Sequence, residues 1–170
     1  MARGTRSVWL AASRRIWTFE VKLRCEGYEK PLTVNHRSVV SRRTRLGRNV
    51  HFNGLSVAGQ GRVAIGANFH SGPGCLIITQ THDYDAGGQL PYDKDRDLIR
   101  DVTIGDNVWL GSRVIILPGA TLAEGSIIQA GSVVVGAIPR CAIAGGHPAK
   151  VFKYRNIEHY ERLKAAGSFC

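Results

Sequence analysis

Hydrophobic residues recur at every sixth position over residues 104–138. A second small or β-branched residue follows each of them four positions later. A strict period of six fits neither the 3.6-residue period of an amphipathic helix nor the two-residue alternation of a half-buried strand. It is typical of a flat-sided solenoid, in which each side turns one aliphatic side chain inward and stacked coils bury these side chains in a column. The predicted column consists of Ile104, Leu110, Ile116, Leu122, Ile128 and Val134.

The same period continues upstream, with one change of phase. In the first phase, the inward positions are Val34, Val40, Leu46, Phe52 and Ala58. In the second phase, they are Ile65, Ser71 and Ile77. The shift falls near Gly59 and Gly61, where a corner between two sides of the coil could absorb an extra residue. We therefore predict that the coil extends over residues 32–153.

A polar segment interrupts the repeat at residues 83–101. It contains six aspartates and lacks the sixfold period, which resumes at Val102. A long insertion in a solenoid usually leaves the wall as a loop, and such loops often carry function. The sequence therefore predicts a protruding loop from this side of the coil.

Two periods compete in the basic segment 1–31. Trp9, Ile16 and Leu23 belong to a helical stripe, whereas Trp17 and Val21 belong to a run that alternates with polar residues. The β-branched and aromatic content favours a strand from residue 16 onward, after a short helix. We expect the segment to cap the end of the coil, since an uncovered end exposes unpaired backbone groups. A membrane-surface anchor is the alternative.

The far end of the chain shows a helical pattern. Ile157, Tyr160 and Leu163 form one stripe within residues 154–166, and Gly167 is a suitable stop signal. The predicted organisation is therefore a capping segment at 1–31, a coil domain at 32–153 with its insertion at 83–101, and a C-terminal helix and tail at 154–170.

The net charge of +10 is concentrated at one end of the chain. Residues 1–48 contain twelve lysines and arginines against three glutamates, which accounts for +9. The charge is either a solvated basic surface or a site of attraction for an anionic polysaccharide, a lipid-linked sugar or a CoA phosphate. No nucleic-acid motif accompanies it.

Cysteine usage and hydropathy bear on location. The four cysteines are scattered and form no CxxC pair, which favours a reducing compartment over a disulfide scaffold or a zinc site. No apolar run approaches the ~20 residues that span a bilayer, so no transmembrane segment is expected. We predict a cytoplasmic protein, and the sequence leaves open a peripheral contact with the inner face of the membrane.

Three segments resemble the hexapeptide-repeat acyltransferases, most of all the galactoside, maltose and polysaccharide O-acetyltransferase branch. They are residues 81–85 (THDYD), residues 104–120 beginning IGDNVWLGS, and residues 128–134 (IQAGSVV) followed by GGHPAK at 145–150. The resemblance implies an all-β fold, a left-handed parallel β-helix of hexapeptide repeats, with a protruding loop and a short C-terminal helix. Physical rules alone would predict right-handed crossovers. The resemblance also implies a homotrimer with its site between neighbouring coils.

The resemblance places a catalytic histidine at His82. Acyl transfer to a hydroxyl needs a base that removes the proton as the oxygen attacks, and imidazole suits this task near neutral pH. Asp83, Asp85 or a backbone carbonyl could orient the ring. The backbone N–H of Ser112 matches the family's oxyanion donor, and a rigid backbone amide needs little rearrangement when charge develops.

The resemblance also implies a site for acetyl-CoA as co-substrate, with no metal required. The matched cofactor positions are Trp109, Gly111, Ser112, Ala130, Lys150 and Lys153. Lysine serves well as a point charge for phosphate. One departure is that Val135-Gly136 replaces the Thr-Lys pair often found after the third segment. For the acceptor, Asn53 and Asp85 are the candidate contacts.

The leading interpretation is an acetyl-CoA-dependent O-acetyltransferase that modifies a sugar hydroxyl in polysaccharide or glycoconjugate biosynthesis. An N-acetyltransferase of an amino sugar needs the same base and oxyanion donor, so the sequence does not separate the two. A γ-type carbonic anhydrase would need three zinc-binding histidines from adjacent subunits, and His51, His70 and His82 form no convincing trio. A non-catalytic trimeric coil module is the remaining alternative.

Overall fold

The structure is a computed structural model that describes residues 2–170, with the side chains of residues 9–170. The chain forms a parallel β-helix with three flat faces. Face A contains β1 (Gly27–Tyr28), β3 (Thr44–Leu46), β6 (Val63–Ile65), β11 (Val102–Ile104), β14 (Thr121–Leu122) and β17 (Ala137–Ile138). Face B contains β2 (Leu32–His36), β4 (Val50–Asn53), β7 (His70–Ser71), β12 (Trp109–Leu110), β15 (Ile127–Ile128) and β18 (Ala142–Gly146). Face C contains β5 (Leu55–Ala58), β8 (Cys75–Ile78), β13 (Ile115–Ile116) and β16 (Val133–Val134).

The predicted column of aliphatic side chains is the core of this coil. Each face pairs in parallel with the coil above and below, so that Leu110 lies beside Ile128 and Ile116 beside Val134. All six column residues between Ile104 and Val134 are no more than 2 % exposed. The second series, which follows four positions later, is buried as well. The parallel β-helix is therefore confirmed, and the sixfold period arises because each face of the coil turns its aliphatic side chains into the core.

The predicted inward position of Ala58 is wrong. Ala58 is exposed, and Val57 takes the inward place, where it pairs with Ile77 of the next coil. The corner before β5 is turned one residue early at Gly54, whose φ of +99° lies in the region that favours glycine. The change of phase therefore begins after Phe52, at the corner between faces B and C, and the extra residues are absorbed after Val57.

The predicted strand from residue 16 is also wrong, because one helix, α1 (Ala2–Arg24), covers this segment. Ser13 and Val21 are buried and Trp17 is half-buried, which is the four-residue spacing of one side of a helix. Phe19 and Leu23, which a strand would have buried beside Val21, are exposed. Tertiary packing therefore decides between the two periods, as it often does against propensity. No helix within residues 2–170 is long and apolar enough to cross a membrane.

Helix α1 packs on the first strand of face B. Val21 is fully buried in the core, and Trp17 stacks on His36 with ring centroids 6.0 Å apart. The backbone N–H of Val34 donates a hydrogen bond to Thr18 Oγ1 at 3.2 Å, which satisfies part of the outer edge of β2. The helix thus covers the edge that would otherwise be free, and the coil itself begins at β1, four residues before the predicted boundary at residue 31.

A ladder of asparagines builds the corner between faces A and B. Asn49, Asn68 and Asn107 all adopt positive φ, which asparagine tolerates better than most residues. Asn49 Nδ2 donates to Asn68 Oδ1 at 3.0 Å, and Asn68 Nδ2 donates to Asn107 Oδ1 at 2.9 Å. In the next coil Gly125 takes this place, and a β-carbon there would lie 2.9 Å from the Tyr160 ring. The ladder therefore ends where Tyr160 enters the corner.

Tyr160 belongs to the C-terminal helix α2 (Ile157–Ala165), which confirms the predicted helix with a later start. Asn156 caps it by accepting a hydrogen bond from the backbone N–H of His159 at 2.9 Å. Gly167 follows the helix with a φ of +63°, as expected of a helix stop. Helix α2 and the residues after it lie along face B, where the Asn49 side chain donates to the carbonyl of Cys170 at 2.8 Å.

Polar contacts join α2 to the coil around Glu124. The Tyr160 hydroxyl donates to Glu124 Oε1 at 2.8 Å and accepts from Asn107 Nδ2 at 2.9 Å. Lys164 Nζ also donates to Glu124 Oε1 at 2.6 Å. Burial and the neighbouring Glu124 carboxylate raise the pKa of Tyr160. Burial alone would raise the pKa of Glu124, but the hydrogen bonds from Lys164 and Tyr160 outweigh it and lower that pKa.

We expect the free energy of unfolding to carry an acid-dependent contribution from Glu124. Because folding lowers the pKa of this carboxyl, its stabilisation is complete above the ordinary value of 4.5 and is lost as the pH falls below that value toward the folded pKa. Chemical denaturation between pH 7 and pH 3 measures this loss. Glu124→Gln should be less stable than the parent at pH 7 and should lose less stability on acidification. Equal pH dependence of the two proteins would contradict the role of this carboxylate.

Candidate active site

The polar insertion forms an arm that leaves the coil at the corner between faces C and A. Its base is an antiparallel ribbon of β9 (Gln80–His82) and β10 (Asp97–Ile99). The Arg100 N–H donates to the Thr79 carbonyl at 2.9 Å and closes the neck of the arm. Beyond the neck, Val102 pairs with Val63 as the next rung of face A. The arm therefore adds a surface structure without disturbing the stack.

His82 lies at the end of this ribbon, directly opposite Asp97. The two side chains on one side of an antiparallel pair approach closely, and His82 Nδ1 is 3.0 Å from Asp97 Oδ1. The two atoms are close, but His82 Nδ1 forms no well-aligned hydrogen bond. Gln80 Nε2 donates to the other carboxylate oxygen of Asp97 at 2.6 Å.

The His82 ring is also held by stacking. The Tyr92 ring lies parallel to it, with centroids 3.8 Å apart and an interplanar angle of 5°. The His82 side chain is nevertheless 42 % exposed, so part of the imidazole faces solvent. An imidazole with one nitrogen beside a carboxylate, a fixed ring plane and an exposed edge is suited to accept a proton from a bound molecule.

The structure places Asp97, rather than the neighbouring aspartates, beside the imidazole. Asp83 forms an ion pair with Arg96 at 3.3 Å and accepts a hydrogen bond from the Ala86 N–H at 3.2 Å. Asp85 is exposed on the arm. Asp97 and Tyr92 could not be predicted from the sequence, because the insertion has no period that indicates how its two ends pair.

In the acyl transfer that the sequence resemblance implies, Asp97→Asn is expected to lower kcat by about tenfold to a hundredfold, with a smaller change in KM for the acyl donor. The amide removes the negative charge that favours the protonated imidazole while keeping the size of the side chain. The measurement is kcat and KM over a range of pH, since loss of a positioning carboxylate should also move the pH profile. Asp95→Asn is the matched control, because Asp95 is exposed on the same arm. Equal loss in both variants would argue against a positioning role for Asp97.

A second candidate region lies on the outer side of face B. A surface cavity of about 360 Å³ is lined by Trp109, Ser112, Ala130 and Phe152, among others. Gly111 also lines this cavity. The cavity therefore brings together four of the six predicted cofactor positions, namely Trp109, Gly111, Ser112 and Ala130. A β-carbon at Gly111 would lie 2.5 Å from the backbone N of Ala130. Glycine at this position is therefore required by the stacking of neighbouring coils, a reason that the sequence analysis did not give.

The backbone of Ser112 is available for a further hydrogen bond. Its carbonyl accepts from the Gly131 N–H at 2.8 Å. In the part of the chain that the structure describes, its own N–H donates to no backbone carbonyl. A β-carbon at Gly72, on the coil below, would lie 2.6 Å from the Ser112 N. Glycine at position 72 is therefore required by the close stacking of this corner on the coil below, and Gly72 is a supporting residue that was not predicted from the sequence.

The two predicted lysines are close to this cavity but do not line it. They lie on β19 (Ala149–Tyr154), which forms an antiparallel hairpin with β18. Phe152, between them, turns toward the cavity. Lys153 lines an adjacent cavity of about 330 Å³, and Lys150 is exposed opposite Gly145. The hairpin of β18 and β19 therefore places the ammonium groups of Lys150 and Lys153 near the cavity but outside its lining.

The side chain of Asn53 is occupied by contacts within the coil. Its Nδ2 donates to the Ser71 carbonyl at 2.7 Å, and its Oδ1 accepts from Asn35 at 2.9 Å. To bind an acceptor, Asn53 would have to give up one of these bonds. The structure thus gives Asn53 a role in coil stacking.

The other two histidines considered for a metal site form a separate pair. The rings of His51 and His70 stack on face B with centroids 4.3 Å apart. Burial and the proximity of His70 lower the pKa of His51. His82 lies on the arm at a different corner, and within residues 2–170 no three His, Cys, Asp or Glu side chains form a group that could hold a metal ion.

Comparison with known proteins places this geometry in a family. The family described as bacterial transferase hexapeptide (six repeats) matches residues 101–136. The galactoside O-acetyltransferase of Escherichia coli (strain K12) is 34 % identical over 119 residues, which are 68 % of this chain and 57 % of that protein. The chain belongs to the hexapeptide-repeat acetyltransferase family. The chain spans about half the length of the first curated relatives that it matches.

Two solved structures support the placement. A galactoside acetyltransferase in complex with coenzyme A superposes with a TM-score of 0.59 and 29 % identity, over 83 % of this chain and 63 % of that one. The maltose O-acetyltransferase of Clostridium difficile 630 superposes with a TM-score of 0.60 and 25 % identity, over 86 % of this chain and 88 % of that one. This member of the family therefore shares the repeat and the coil with both.

Proposed function

We propose that this protein transfers an acetyl group from acetyl-CoA to the hydroxyl of a sugar, in polysaccharide or glycoconjugate biosynthesis. The observation that carries the proposal is the exposed imidazole of His82, held between Asp97 and Tyr92 on an arm outside the coil. Support also comes from the relatives, which include a galactoside O-acetyltransferase and a galactoside acetyltransferase in complex with coenzyme A.

In the proposed mechanism His82 is the general base. Its Nε2 removes the proton from the acceptor hydroxyl as the oxygen attacks the thioester carbonyl, and the Asp97 carboxylate stabilises the imidazolium that forms. The tetrahedral oxyanion accepts a hydrogen bond from the N–H of Ser112, which donates to no backbone carbonyl in the described part of the chain. When the carbon–sulfur bond breaks, the imidazolium returns its proton to the CoA sulfur. The products are the acetyl ester and free CoA, and no metal takes part in any step.

The proposed assembly is a homotrimer with its sites between protomers. His82 leaves the coil at the corner between faces C and A, whereas Ser112 lies at the corner between faces B and C. A neighbouring copy related by rotation would bring the arm of one protomer to the cavity of the next, and three such contacts close a ring. Light scattering should therefore give three times the mass of the chain, and a fully active monomer would contradict the arrangement.

The proposed acetyl-CoA site is the cavity bounded by Trp109, Ser112 and Ala130. Gly111 contributes backbone there, Phe152 adds an apolar wall, and Lys150 and Lys153 would contact the CoA phosphates from the hairpin border. Asp85, exposed on the arm, is the proposed acceptor contact beside His82, and Asn53 is a second. Because acetyl-CoA is supplied inside the cell, the proposed location of the reaction is the cytoplasm.

The deciding experiment offers acetyl-CoA with hydroxy sugars and amino sugars, in the presence of a chelator, and follows the release of CoA thiol and the mass of the product. We expect acetyl esters of hydroxy sugars. Products formed only with amino sugars would replace the proposal with N-acetylation. Trimers without turnover on any sugar, and without hydrolysis of acetyl-CoA, would indicate the non-catalytic coil.

A further inference from the structure

Helix α1 has two apolar sides, and the coil covers only one of them. The covered side contains Ser13 and Val21, which are buried, with Trp17 half-buried between them. On another side, large apolar residues recur at the spacing of a helical stripe and remain between 58 % and 68 % exposed. This exposed stripe consists of Trp9, Ile16, Phe19 and Leu23. Successive helical residues are 100° apart, so the centre of the stripe lies about 115° around the helix from the centre of the covered side.

The charge of helix α1 is mostly positive. Helix α1 contains six lysines and arginines and one acidic residue, Glu20. At 100° per residue, Arg15 and Lys22 follow Phe19 around the helix and border the stripe on one side. A helix that combines an apolar stripe of Trp, Phe and Leu with bordering basic residues has the composition of helices that lie in the interface of an anionic bilayer.

From these observations we infer that α1 binds the surface of an anionic phospholipid membrane through Trp9, Ile16, Phe19 and Leu23. Apolar side chains at this spacing can enter the boundary between headgroups and acyl chains, while the flanking cations meet the phosphates. Helix α1 covers the outer edge of β2, so its uncovered side faces away from the coil. Membrane contact would therefore leave the arm and the cavity on face B free.

The charge favours a membrane over a second copy of this chain. Pairing two copies through α1 would bring together two segments that each have a large positive excess, which is unfavourable. The apolar stripe disfavours nucleic acid, which attracts cations but offers no apolar surface on its backbone. In the proposed trimer, three copies of α1 would lie at the same end of the assembly, and three weak contacts with one surface would reinforce each other.

The test is flotation of the full-length protein with vesicles of phosphatidylcholine alone, or of phosphatidylcholine mixed with phosphatidylglycerol. We expect binding to the anionic vesicles and little binding to the zwitterionic ones, with affinity that falls as salt is raised. Trp9 should move from water into the interface, so tryptophan emission should shift to shorter wavelength. Trp9→Phe should lose most of that shift.

Variants separate the apolar and electrostatic contributions. The double substitution Ile16→Asp/Phe19→Asp should weaken binding to anionic vesicles by at least about tenfold, since it places charge in the apolar stripe. Leu90→Asp makes the same change at a residue that is 95 % exposed on the arm, and it should leave vesicle binding unchanged. Arg15→Gln/Lys22→Gln should weaken binding by about fivefold for each charge removed.

The outcomes are distinct from those that test catalysis. The Ile16→Asp/Phe19→Asp protein should keep its oligomeric mass and its acetyl transfer to a soluble sugar, because α1 lies away from the arm and the cavity. Failure of the parent to bind anionic vesicles, or equal binding to both vesicle types, would overturn the inference. A changed oligomeric mass in this variant would show instead that the stripe is covered by another copy.

Discussion

Replacing His82 with alanine is expected to lower kcat for acetyl transfer by about a hundredfold to ten-thousandfold, with a much smaller change in KM for acetyl-CoA. The loss follows because the acceptor hydroxyl must give up its proton as it attacks, and no other imidazole lies on the described part of the arm. The cavity proposed for acetyl-CoA, including the Ser112 amide, should remain intact in this variant. Steady-state kinetics with both substrates varied separate the two parameters.

Two controls make the His82 result specific. His36→Ala removes an imidazole that stacks on Trp17 at the base of the coil, far along the chain from the arm, and it should retain the activity of the parent. The oligomeric mass and circular dichroism of His82→Ala should match those of the parent. Activity within tenfold of the parent in a correctly assembled His82→Ala protein would contradict the proposed base.

Phe52→Ala is expected to lower the free energy of unfolding by about 3–5 kcal/mol. Phe52 is fully buried in the aliphatic column, and its ring meets that of Phe69 edge-on with centroids 5.9 Å apart. Removing the ring leaves a cavity in a narrow core whose faces are fixed by hydrogen bonds on both sides, so the coil has little freedom to close it. Urea denaturation at a fixed protomer concentration provides the measurement.

Phe19→Ala is the matched control for this prediction. It makes the same chemical change on α1, where the side chain is 59 % exposed, and in the absence of membranes it should alter stability by less than about 0.5 kcal/mol. A loss at Phe52 no greater than the loss at Phe19 would mean that position 52 is not part of the packed column.

The coil was predictable from the sequence because its period is set by local geometry. Each face repeats its inward positions every six residues, so Leu110 and Ile128 could be assigned to the core by counting alone. Counting failed at Ala58, where Gly54 turns a corner one residue early. The period alone does not show at which corner a residue is gained or lost, because any of the glycines near this change of phase could accommodate it.

Helix α1 could not be predicted with the same success because its residues satisfy two periods at once. Trp17 and Val21 fit a strand as well as a helix, and the choice depends on what each would cover. The edge of β2 accepts one side of a helix, through Val21 and Thr18, and leaves Phe19 in solvent. That choice is made by tertiary contacts, which the sequence pattern does not contain.

The motifs that flank the insertion single out His82 and Ser112, and their roles stay predictions. Asp97 and Tyr92 could not be predicted, because the ends of the arm pair with each other across fifteen residues and such a pairing leaves no repeat in the sequence. Gly72 could not be predicted either, because its close contact with the backbone of Ser112 depends on how the two coils stack.

The hydrogen bond that closes the neck of the arm separates the arm from the coil. The Arg100 N–H donates to the Thr79 carbonyl, and Val102 pairs with Val63 in the coil. The stacking of the coil therefore does not depend on the length or the sequence of the arm between Thr79 and Arg100. The residues around the imidazole could therefore be replaced without remodelling the cavity that we propose for acetyl-CoA. Under the proposed function, new acceptors could be selected through changes in the arm alone, while the coil keeps its proposed role in holding the acyl donor.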